Sequence, residues 1–192
     1  MHWTYCRVDD IDAQQLQDIY DHLAPCRKEY IDRLRKKEDK NRSLAGELLV
    51  YRILQEHYGI REGVLRRRPN GQPWLSGCDL QVSISHSHDL VACAVSREPV
   101  GIDVERIRPV SPALCARVCV EEELAYLLAG EKEIPPQDRQ DPAFLGRFFE
   151  IWTAKEAYFK KCGTGITNLQ SVNTRTLLRE IFRLEDHIIQ II

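Results

Sequence analysis

Two carboxylates lie two residues apart in a short apolar segment, residues 101–105 (Gly-Ile-Asp-Val-Glu), where they could act together. The segment predicts a short β-strand, and because side chains alternate along a strand, Asp103 and Glu105 are expected on the same face. Two inward carboxylates need a positive partner, and Mg²⁺ fits because it binds one or two carboxylates together with phosphate oxygens. A solvated edge strand, with one acid paired to Arg106 or Arg108, explains the same residues equally well.

A third carboxylate falls on the apolar face of a predicted helix. Asp141-Pro142 indicates the helix start, because Asp caps the first turn and Pro is favoured at the first helical position, and a glycine-rich turn is expected to end the helix at Cys162. The apolar stripe of this helix consists of Leu145, Phe148, Phe149, Trp152 and Phe159. Glu156 lies within the stripe and needs a partner. Lys160, one turn further on, offers an ordinary i,i+4 ion pair.

The carboxylates also suggest an alternative to isolated ion pairs. Asp103, Glu105 and Glu156 are three inward-facing acids, and Lys155 and Lys160 lie beside the third. Carboxylates and lysines around a divalent cation describe a polyphosphate site better than a salt bridge in a core does. The sequence therefore favours a metal-dependent phosphate site.

The predicted elements around these residues combine helices and strands. Helices are predicted at 11–23, 27–42, 43–58, 121–128 and 142–162, strands at 80–85, 90–95, 101–105, 169–172 and 187–192, and turns at 69–73 and 85–89. Arg42 and Ser43 are predicted at a helix start, where free N–H groups and the helix dipole favour phosphate. Each half holds a long helix ended by glycine and followed by strands, so we expect an α+β fold of two similar lobes, residues 1–98 and 99–192.

The composition indicates a cytoplasmic protein without membrane association. Hydrophobic residues make up 43% and charged residues 29% of the 192 residues, which is ordinary for a globular protein. No apolar run approaches the length of a membrane span, and the N-terminus lacks the pattern of a secretory signal. The seven cysteines are an odd number without a C-x-x-C pair, so we expect reduced thiols and neither disulfides nor a zinc site.

Positive charge is concentrated in one part of a chain whose net charge is only −2. Between Arg27 and Arg68 there are thirteen Lys and Arg residues against seven Asp and Glu residues, which indicates a bias towards binding anions. One interpretation is a module that holds RNA or DNA. That function predicts aromatic residues interleaved with the basic ones on an exposed sheet, and the sequence lacks this pattern.

Five motifs, in this order, resemble those of the 4′-phosphopantetheinyl transferases, in the two-lobed type that activates surfactin synthetase. They are residues 42–47 (Arg-Ser-Leu-Ala-Gly-Glu), 70–74 (Asn-Gly-Gln-Pro-Trp), 83–87 (Ser-Ile-Ser-His-Ser), 101–105, and 152–160 (Trp-Thr-Ala-Lys-Glu-Ala-Tyr-Phe-Lys). The resemblance extends from about Arg27 to Gly165. It implies a transferase that moves the phosphopantetheine arm of coenzyme A to a serine of an apo-carrier protein, releases adenosine 3′,5′-bisphosphate and requires Mg²⁺, with Mn²⁺ as a possible substitute.

The resemblance also implies roles for the acidic and lysine residues. Asp103, Glu105 and Glu156 would hold the metal on the pyrophosphate of coenzyme A. Lys160 would neutralise charge there, and Lys155 accompanies it in the motif, so both are expected in the catalytic set. Glu156 would also accept the proton of the attacking serine, directly or through a water molecule.

A further set of residues is implied for the nucleotide of coenzyme A. His86 would meet the 3′-phosphate, with Arg42 and Ser43 beside it, although a histidine in a serine-rich turn also fits a plain turn residue. The turn and strand residues Gly71, Gln72 and Ser85 would contact the rest of the nucleotide, and Arg27 and Lys28 are further candidates for the 3′-phosphate. Gln72 departs from the family, which often has lysine there.

The resemblance implies an acyl or peptidyl carrier protein and coenzyme A as partners. It also implies that the protein is a monomer that binds neither nucleic acid nor membranes. The chain is shorter at its C-terminal end than the two-lobed type, in the part that would face the acceptor. A metal-dependent phosphohydrolase that uses the same carboxylates on a similar nucleotide is the alternative enzyme.

Overall fold

The computed structural model describes residues 1–61 and 63–192. The first part of the chain forms β1 (His2–Arg7), α1 (Ala13–His22), α2 (Pro25–Arg33), α3 (Lys37–Tyr58), β2 (Val64–Arg67), β3 (Pro73–Ser76), β4 (Gln81–Ser87) and β5 (Leu90–Ser96). The second part forms β6 (Ile102–Arg106), α4 (Pro112–Val118), α5 (Glu121–Leu128), α6 (Pro142–Cys162), β7 (Glu180–Arg183) and β8 (His187–Ile191). Single 3₁₀ turns lie at Val8–Asp10, Gln137–Arg139, Leu169–Ser171 and Thr174–Thr176.

Within residues 1–61 and 63–192 the strands form two antiparallel sheets and one hairpin. The N-terminal sheet has the order β1-β5-β4, the C-terminal sheet the order β6-β8-β7, and β2 pairs with β3. The two sheets meet along β4 and β6, where Ser83 Oγ accepts a hydrogen bond from the backbone N–H of Ile102 (3.0 Å) and Ser87 Oγ accepts one from that of Arg106 (3.1 Å). This α+β fold with two lobes confirms the predicted fold class, and we retain residue 99 as the proposed boundary between the lobes.

Each sheet is covered by one of the long helices. The core between α3 and the N-terminal sheet contains Leu49, Val50, Leu54, Val91 and Cys93. The core around α6 contains Leu127, Phe148, Phe149, Ile151 and Ile188. A third cluster, with Leu90, Ala92, Ile102, Val104 and Ile189, packs where the two lobes meet. Both long helices end at a left-handed glycine, Gly59 (φ 66°) and Gly163 (φ 67°), as predicted.

The basic region after Arg27 forms two helices instead of the single predicted one. Helix α2 ends at Arg33, the chain runs extended through 34–36, and α3 begins at Lys37. Because Lys and Glu are good helix formers, α3 starts about two turns before its apolar stripe begins at Leu44. The prediction that Arg42 and Ser43 lie at the start of this helix is therefore wrong, and the free N–H groups of that helix start are not beside them.

The strand predictions hold best for the buried strands. Strands β4, β5, β6 and β8 and helices α1, α5 and α6 are confirmed. The predicted turn at 85–89 is shorter, because β4 continues to Ser87 and only His88 (φ 57°) and its neighbour turn. The predicted strand at 169–172 is wrong: the chain makes a 3₁₀ turn there, since the carbonyls of Leu169 and Val172 both accept hydrogen bonds from Lys155.

The seven cysteines carry free thiols, as their number and spacing predicted, and Cys93 is buried in the core. Within residues 1–61 and 63–192, the helices lack the combination of length and hydropathy that crossing a bilayer would require.

Candidate active site

Strand β6 brings Asp103 to the line where the lobes meet. Asp103 is 1% exposed, and its Oδ1 accepts hydrogen bonds from Ser85 Oγ (2.7 Å) and from Lys160 Nζ (2.6 Å). Its Oδ2 is buried without a hydrogen-bond partner among the described residues. Gly101 permits this approach of β6 to α6, because a Cβ atom there would overlap the carbonyl oxygen of Ala157. Lys160 thus pairs with Asp103 and links α6 to both sheets.

Glu105 is held by donors from both lobes. The indole Nε1 of Trp152 on α6 donates to Glu105 Oε1 (3.2 Å), and Ser87 Oγ on β4 donates to Oε2 (2.9 Å). Burial and the neighbouring Asp103 raise the pKa of Glu105. The ion pairs expected of a solvated edge strand are not formed, since Arg106 pairs with Asp186 and Arg108 lies over the ring of Phe149.

Glu156 is the third carboxylate of this group. Burial, followed by the charges of Asp103 and Glu105, raises its pKa to about 7, against the opposing effect of Lys160. Lys160 does not form the i,i+4 pair with Glu156. Its ammonium group pairs with Asp103 instead. The three predicted carboxylates therefore share one environment, in which Lys160 and Arg108 relieve their mutual repulsion only in part.

The carboxylates suit a cation that is shared with a phosphate ligand. In the part of the chain that the structure describes, no three His, Cys, Asp or Glu side chains are arranged to hold a metal ion by themselves. The three predicted ligands therefore do not form a complete metal site by themselves. The bare Oδ2 of Asp103 and the raised pKa values of Glu105 and Glu156 nevertheless fit Mg²⁺, which takes one or two carboxylates and completes its shell with phosphate and water.

This repulsion leads to a prediction about stability without metal. Because the folded-state pKa of Glu156 is raised from the ordinary 4.5 to about 7, its contribution to stability is fully present below pH 4.5 and is lost as the pH rises through 7. In EDTA at pH 8, Glu156→Gln should therefore unfold at a higher temperature than the parent, by a few degrees, since one pKa unit corresponds to about 1.4 kcal/mol. Thermal unfolding at pH 4.5 and pH 8 measures the difference.

The stability gain should be confined to high pH. At pH 4.5 the parent and Glu156→Gln should unfold at nearly the same temperature. Glu133→Gln, at an exposed position, should change neither value. A Glu156→Gln protein that is less stable than the parent at pH 8 in EDTA would show that the carboxylate is not in a repulsive cluster.

Lys155 lies outside this group, and its predicted catalytic role is corrected. Its side chain is completely buried, with Nζ 2.7 Å from Glu123 Oε2. Its Nζ also donates to three backbone carbonyls, those of Val118, Leu169 and Val172, at 2.7–2.8 Å. All its donors are used, so Lys155 fixes α6 to α5 and to the following loop. Sequence spacing placed it beside Glu156, but successive helix residues point in different directions.

Two adjoining cavities lie between α3 and Lys160, the lysine that pairs with Asp103. The smaller, of about 150 Å³, is lined by residues that include Arg27, Tyr30, Arg42, Ser43 and His86. The larger, of about 310 Å³, is lined by residues that include Asn70, Gly71, Gln72, Phe159 and Lys160. Arg67 and Ile84 line both, so the cavities form a groove that runs from α3 to Lys160.

The hairpin turn after β2 forms one wall of the larger cavity. Gly71 has a φ of 86°, which a glycine adopts without strain, and Asn70 Oδ1 accepts from the backbone N–H of Gln72 (3.1 Å). Asn70 Nδ2 also donates to the carbonyl of Gly163 at the end of α6 (3.1 Å). The amide of Gln72 packs so closely on Gly163 that a Cβ there would collide with it. The turn is therefore attached to the helix that carries Glu156 and Lys160.

His86 projects from β4 into the smaller cavity. Its ring is exposed, yet partial desolvation and the nearby cations Arg42, Lys160 and Arg67 lower its pKa. Arg27, Arg42 and Arg67 line the same cavity, so positive charge converges here, which favours an anionic ligand. His86 lies in a strand and faces this cavity, so it is not a plain turn residue.

The remaining predicted nucleotide residues divide between the groove and other places. Arg27, Arg42, Ser43, Gly71 and Gln72 line the groove. Ser85 belongs to the carboxylate cluster instead, through its contacts with Asp103 and Lys160. Lys28 points to α1, where Nζ donates to the carbonyl of Asp21 (2.9 Å), so the structure does not place it in the groove.

Three residues of the site were not predicted. Ser87 and Trp152 hold Glu105, and Arg67 lines both cavities. Alternation along β4 gives Ser87 the same face as Ser85, a signal that was present in the sequence. Nothing in the sequence distinguishes Arg67 from Arg66 and Arg68, because the choice depends on how the hairpin is oriented.

Comparisons with known proteins identify the same family over both halves of the chain. Residues 99–189 match the model of the 4′-phosphopantetheinyl transferase superfamily, and residues 11–98 match the model of a 4′-phosphopantetheinyl transferase N-terminal region. The chain is 31% identical over 187 residues to the 4′-phosphopantetheinyl transferase psf-1 of Bacillus pumilus, covering 94% of this chain and 76% of that protein.

Two other relatives are matched over a smaller share of their own length. The chain is 31% identical over 160 residues to the 4′-phosphopantetheinyl transferase gsp of Aneurinibacillus migulanus, covering 82% of this chain and 63% of the relative. It is 30% identical over 148 residues to the 4′-phosphopantetheinyl transferase Sfp of Bacillus subtilis strain 168, covering 76% and 62% respectively. The chain thus spans somewhat less than two thirds of the length of these two proteins.

Proposed function

The chain belongs to the 4′-phosphopantetheinyl transferase superfamily, and on that premise we propose that it transfers the phosphopantetheine arm of coenzyme A to a serine of an apo-carrier protein. The observation that carries the proposal is the contact of Lys160 with Asp103 (2.6 Å), which unites the two signature segments beside a groove of cationic residues. The second product is adenosine 3′,5′-bisphosphate.

Coenzyme A occupies the groove in this proposal. Its 3′-phosphate lies in the smaller cavity, where His86 meets it with Arg42 and Ser43 nearby. The adenine nucleotide lies in the larger cavity against the turn at Gly71 and Gln72. This orientation is supported by the charge of the two cavities, since the smaller is rich in cations and the larger mixes apolar and polar side chains. The pyrophosphate then reaches the carboxylate cluster at the far end of the groove.

The carboxylates place the reacting groups. Asp103, Glu105 and Glu156 would hold Mg²⁺, or Mn²⁺, which when bound neutralises charge on the pyrophosphate. Lys160 donates the N–H group that Asp103 and Ser85 leave free to the oxygen that becomes negative when the P–O bond to the nucleotide breaks. Glu156 accepts the proton of the serine hydroxyl, directly or through a water molecule, as the new O–P bond forms.

We further propose an acyl or peptidyl carrier protein as acceptor, with the enzyme acting as a cytoplasmic monomer without nucleic acid. The competing enzyme is a metal-dependent phosphohydrolase, in which water replaces the serine at the same carboxylates. In the transferase reaction, release of the nucleotide requires the carrier protein. In the hydrolase reaction, it does not.

Release of adenosine 3′,5′-bisphosphate from coenzyme A tests the proposal. With Mg²⁺ and an apo-carrier protein, we expect one nucleotide released for each carrier molecule, and no release when the carrier serine is replaced by alanine. Chromatography of the nucleotides measures both. Release that continues without a carrier would identify a hydrolase, and coenzyme A that stays intact in every reaction would contradict the proposed transfer.

The donors on Glu105 give a prediction that separates binding from folding. Trp152→Phe keeps the aromatic stacking on Phe148 but loses the N–H to Glu105. Because partners of a metal ligand typically contribute 10- to 100-fold to metal affinity, we expect Mn²⁺ in the presence of coenzyme A to bind about tenfold more weakly. Paramagnetic resonance of free Mn²⁺ measures the affinity.

The control for this substitution is Trp74→Phe, at an exposed tryptophan on β3. It should leave Mn²⁺ affinity at the parent value. If Trp152→Phe and Trp74→Phe bind Mn²⁺ equally well, the indole does not position Glu105 for a cation.

A further inference from the structure

His187, the first residue of β8, is a completely buried histidine that the proposed reaction does not use. Its Nδ1 lies 2.7 Å from Oδ1 of Asp186, and its Nε2 lies 3.2 Å from the carbonyl oxygen of Ser87 on β4. Across the C-terminal sheet it pairs with Arg106, the residue after Glu105 on β6. The ring therefore joins the two sheets beside the strand that carries a proposed metal ligand.

The two partners of the ring determine where its protons lie. A carbonyl oxygen accepts hydrogen bonds and cannot donate, so Nε2 must carry a proton to bond Ser87. The pKa of Asp186 is lowered, first by the hydrogen bond from His187 and further by the charges of Arg106 and Arg7, so its carboxylate is ionised near neutral pH and likewise only accepts. Nδ1 must then carry a proton too, and the ring is an imidazolium.

Charges of alternating sign surround this imidazolium. Asp186 lies 3.3 Å from Arg106 Nε and 3.7 Å from Arg7 Nη2. Asp89 Oδ1 lies 3.9 Å from Nε2 of His187, and Asp89 Oδ2 pairs with Arg7 Nη1 (2.6 Å). A carboxylate thus lies near each ring nitrogen, which offsets the cost of burying a charged ring. The cluster ties the end of β1 and the turn after β4 to the turn between β7 and β8.

Ser87 connects this cluster to the carboxylates of the candidate active site. While its carbonyl lies on His187, its hydroxyl donates to Glu105 Oε2 (2.9 Å) and accepts from the backbone N–H of Arg106 (3.1 Å). The next residue, His88, has a φ of 57°, in the left-handed region that costs a non-glycine residue free energy. Ser87 therefore stands where β4 ends at a strained turn, and an anchor on its carbonyl helps to fix its hydroxyl.

We infer that His187 is a positioning residue for the proposed metal site: it holds the carbonyl of Ser87 and thereby keeps the Ser87 hydroxyl on Glu105. In this role it touches neither coenzyme A nor the cation. Hydrogen-bonding partners of a metal ligand orient the ligand and raise metal affinity, and His187 extends that support by one residue. The role rests on the proposed function, because it takes Glu105 as a ligand of the cation.

The two amide side chains separate the two donors of the ring. The amide nitrogen of Gln has the reach of Nε2, so His187→Gln still donates to Ser87, whereas that of Asn has the reach of Nδ1, so His187→Asn donates only to Asp186. Both variants lose the charge and the packing of the ring, so both should be less stable. Only His187→Asn should bind Mn²⁺ in the presence of coenzyme A more weakly, by about three- to tenfold, at or below the range for direct partners of a metal ligand.

Paramagnetic resonance of free Mn²⁺ measures the affinity, and thermal unfolding measures stability separately. Ile189→Val, at a buried position two residues further along β8, is the control for lost packing. It should lower the unfolding temperature and leave Mn²⁺ affinity at the parent value. His22→Gln, at an exposed histidine that ends α1, should change neither quantity.

The effect should depend on the Ser87 hydroxyl. In Ser87→Ala that hydroxyl is absent, so adding His187→Asn should weaken Mn²⁺ binding no further. Equal Mn²⁺ affinities of His187→Asn and His187→Gln overturn the inference. So does a loss from His187→Asn that is the same with and without the Ser87 hydroxyl.

Nitrogen NMR of the parent protein provides a test that does not depend on whether a variant folds. Near neutral pH, both ring nitrogens of His187 should carry protons, and an Nε2 without a proton overturns the inference. A parent that binds no Mn²⁺ in the presence of coenzyme A contradicts the proposed metal site and the role of His187 together. A parent that binds Mn²⁺ while Nε2 lacks its proton leaves the metal site standing and removes only His187.

Discussion

Asp103→Asn is expected to fold, to lose at least about a hundredfold in turnover at low Mg²⁺, and to regain part of that loss at high Mg²⁺ or Mn²⁺. The amide still accepts hydrogen bonds from Ser85 and Lys160, so the junction between β6 and α6 should persist. What disappears is the negative charge and the bare Oδ2, the buried oxygen with no hydrogen-bond partner among the described residues. Turnover against metal concentration measures the effect.

Asp79→Asn is the matched control, because Asp79 is exposed and does not line either cavity of the groove. It should show the parent dependence on metal. An Asp103→Asn protein that transfers the arm as fast as the parent at low Mg²⁺ would mean that the carboxylate on β6 serves packing and not a cation.

Glu156→Gln is expected to lose turnover by about 10²- to 10⁴-fold, and saturating metal should not restore it. The substitution keeps the length and volume of the side chain, so α6 should still pack. It removes both the charge and the ability to accept a proton, and no ion replaces a base. Raising the pH should help modestly, since a more basic solvent takes over part of the proton transfer. Single-turnover rates across metal concentration and pH test this.

Coenzyme A binding, measured separately on Glu156→Gln, shows whether the nucleotide still occupies the groove. Asp103→Asn and Glu156→Gln should differ in one respect, recovery by metal. Full recovery of Glu156→Gln at high Mg²⁺ would assign Glu156 to metal binding alone, and the base would then be another group.

Much of this site could be predicted from the sequence, because local patterns fix the elements that carry it. Alternation placed Asp103 and Glu105 on one face of β6, and the Asp141 cap and Gly163 defined α6. The partner of Lys160 could not be predicted this way. Helical spacing offers Glu156, but the meeting of the two lobes brings Asp103 closer, and only the packed sheets decide between them.

Two further features, the direction of Lys155 and the strand β7, were also not predicted because they depend on long-range contacts. Lys155 resembles Lys160 in the sequence, yet it is directed into the core, where Glu123 and three carbonyls satisfy its charge. The sequence of β7 does not have a pattern that predicts a strand. It is exposed along its length and exists through its pairing with β8. Long-range contacts, which local propensity does not encode, determine each of these features.

The most direct test of the transferase is the intact mass of an apo-carrier protein after incubation with this protein, coenzyme A and Mg²⁺. The proposed site predicts that the carrier gains the mass of one phosphopantetheine, at its serine, and that neither Asp103→Asn at low Mg²⁺ nor Glu156→Gln produces this gain at the parent rate. A carrier whose mass is unchanged while coenzyme A is consumed, or a gain that both variants produce as fast as the parent, would contradict it.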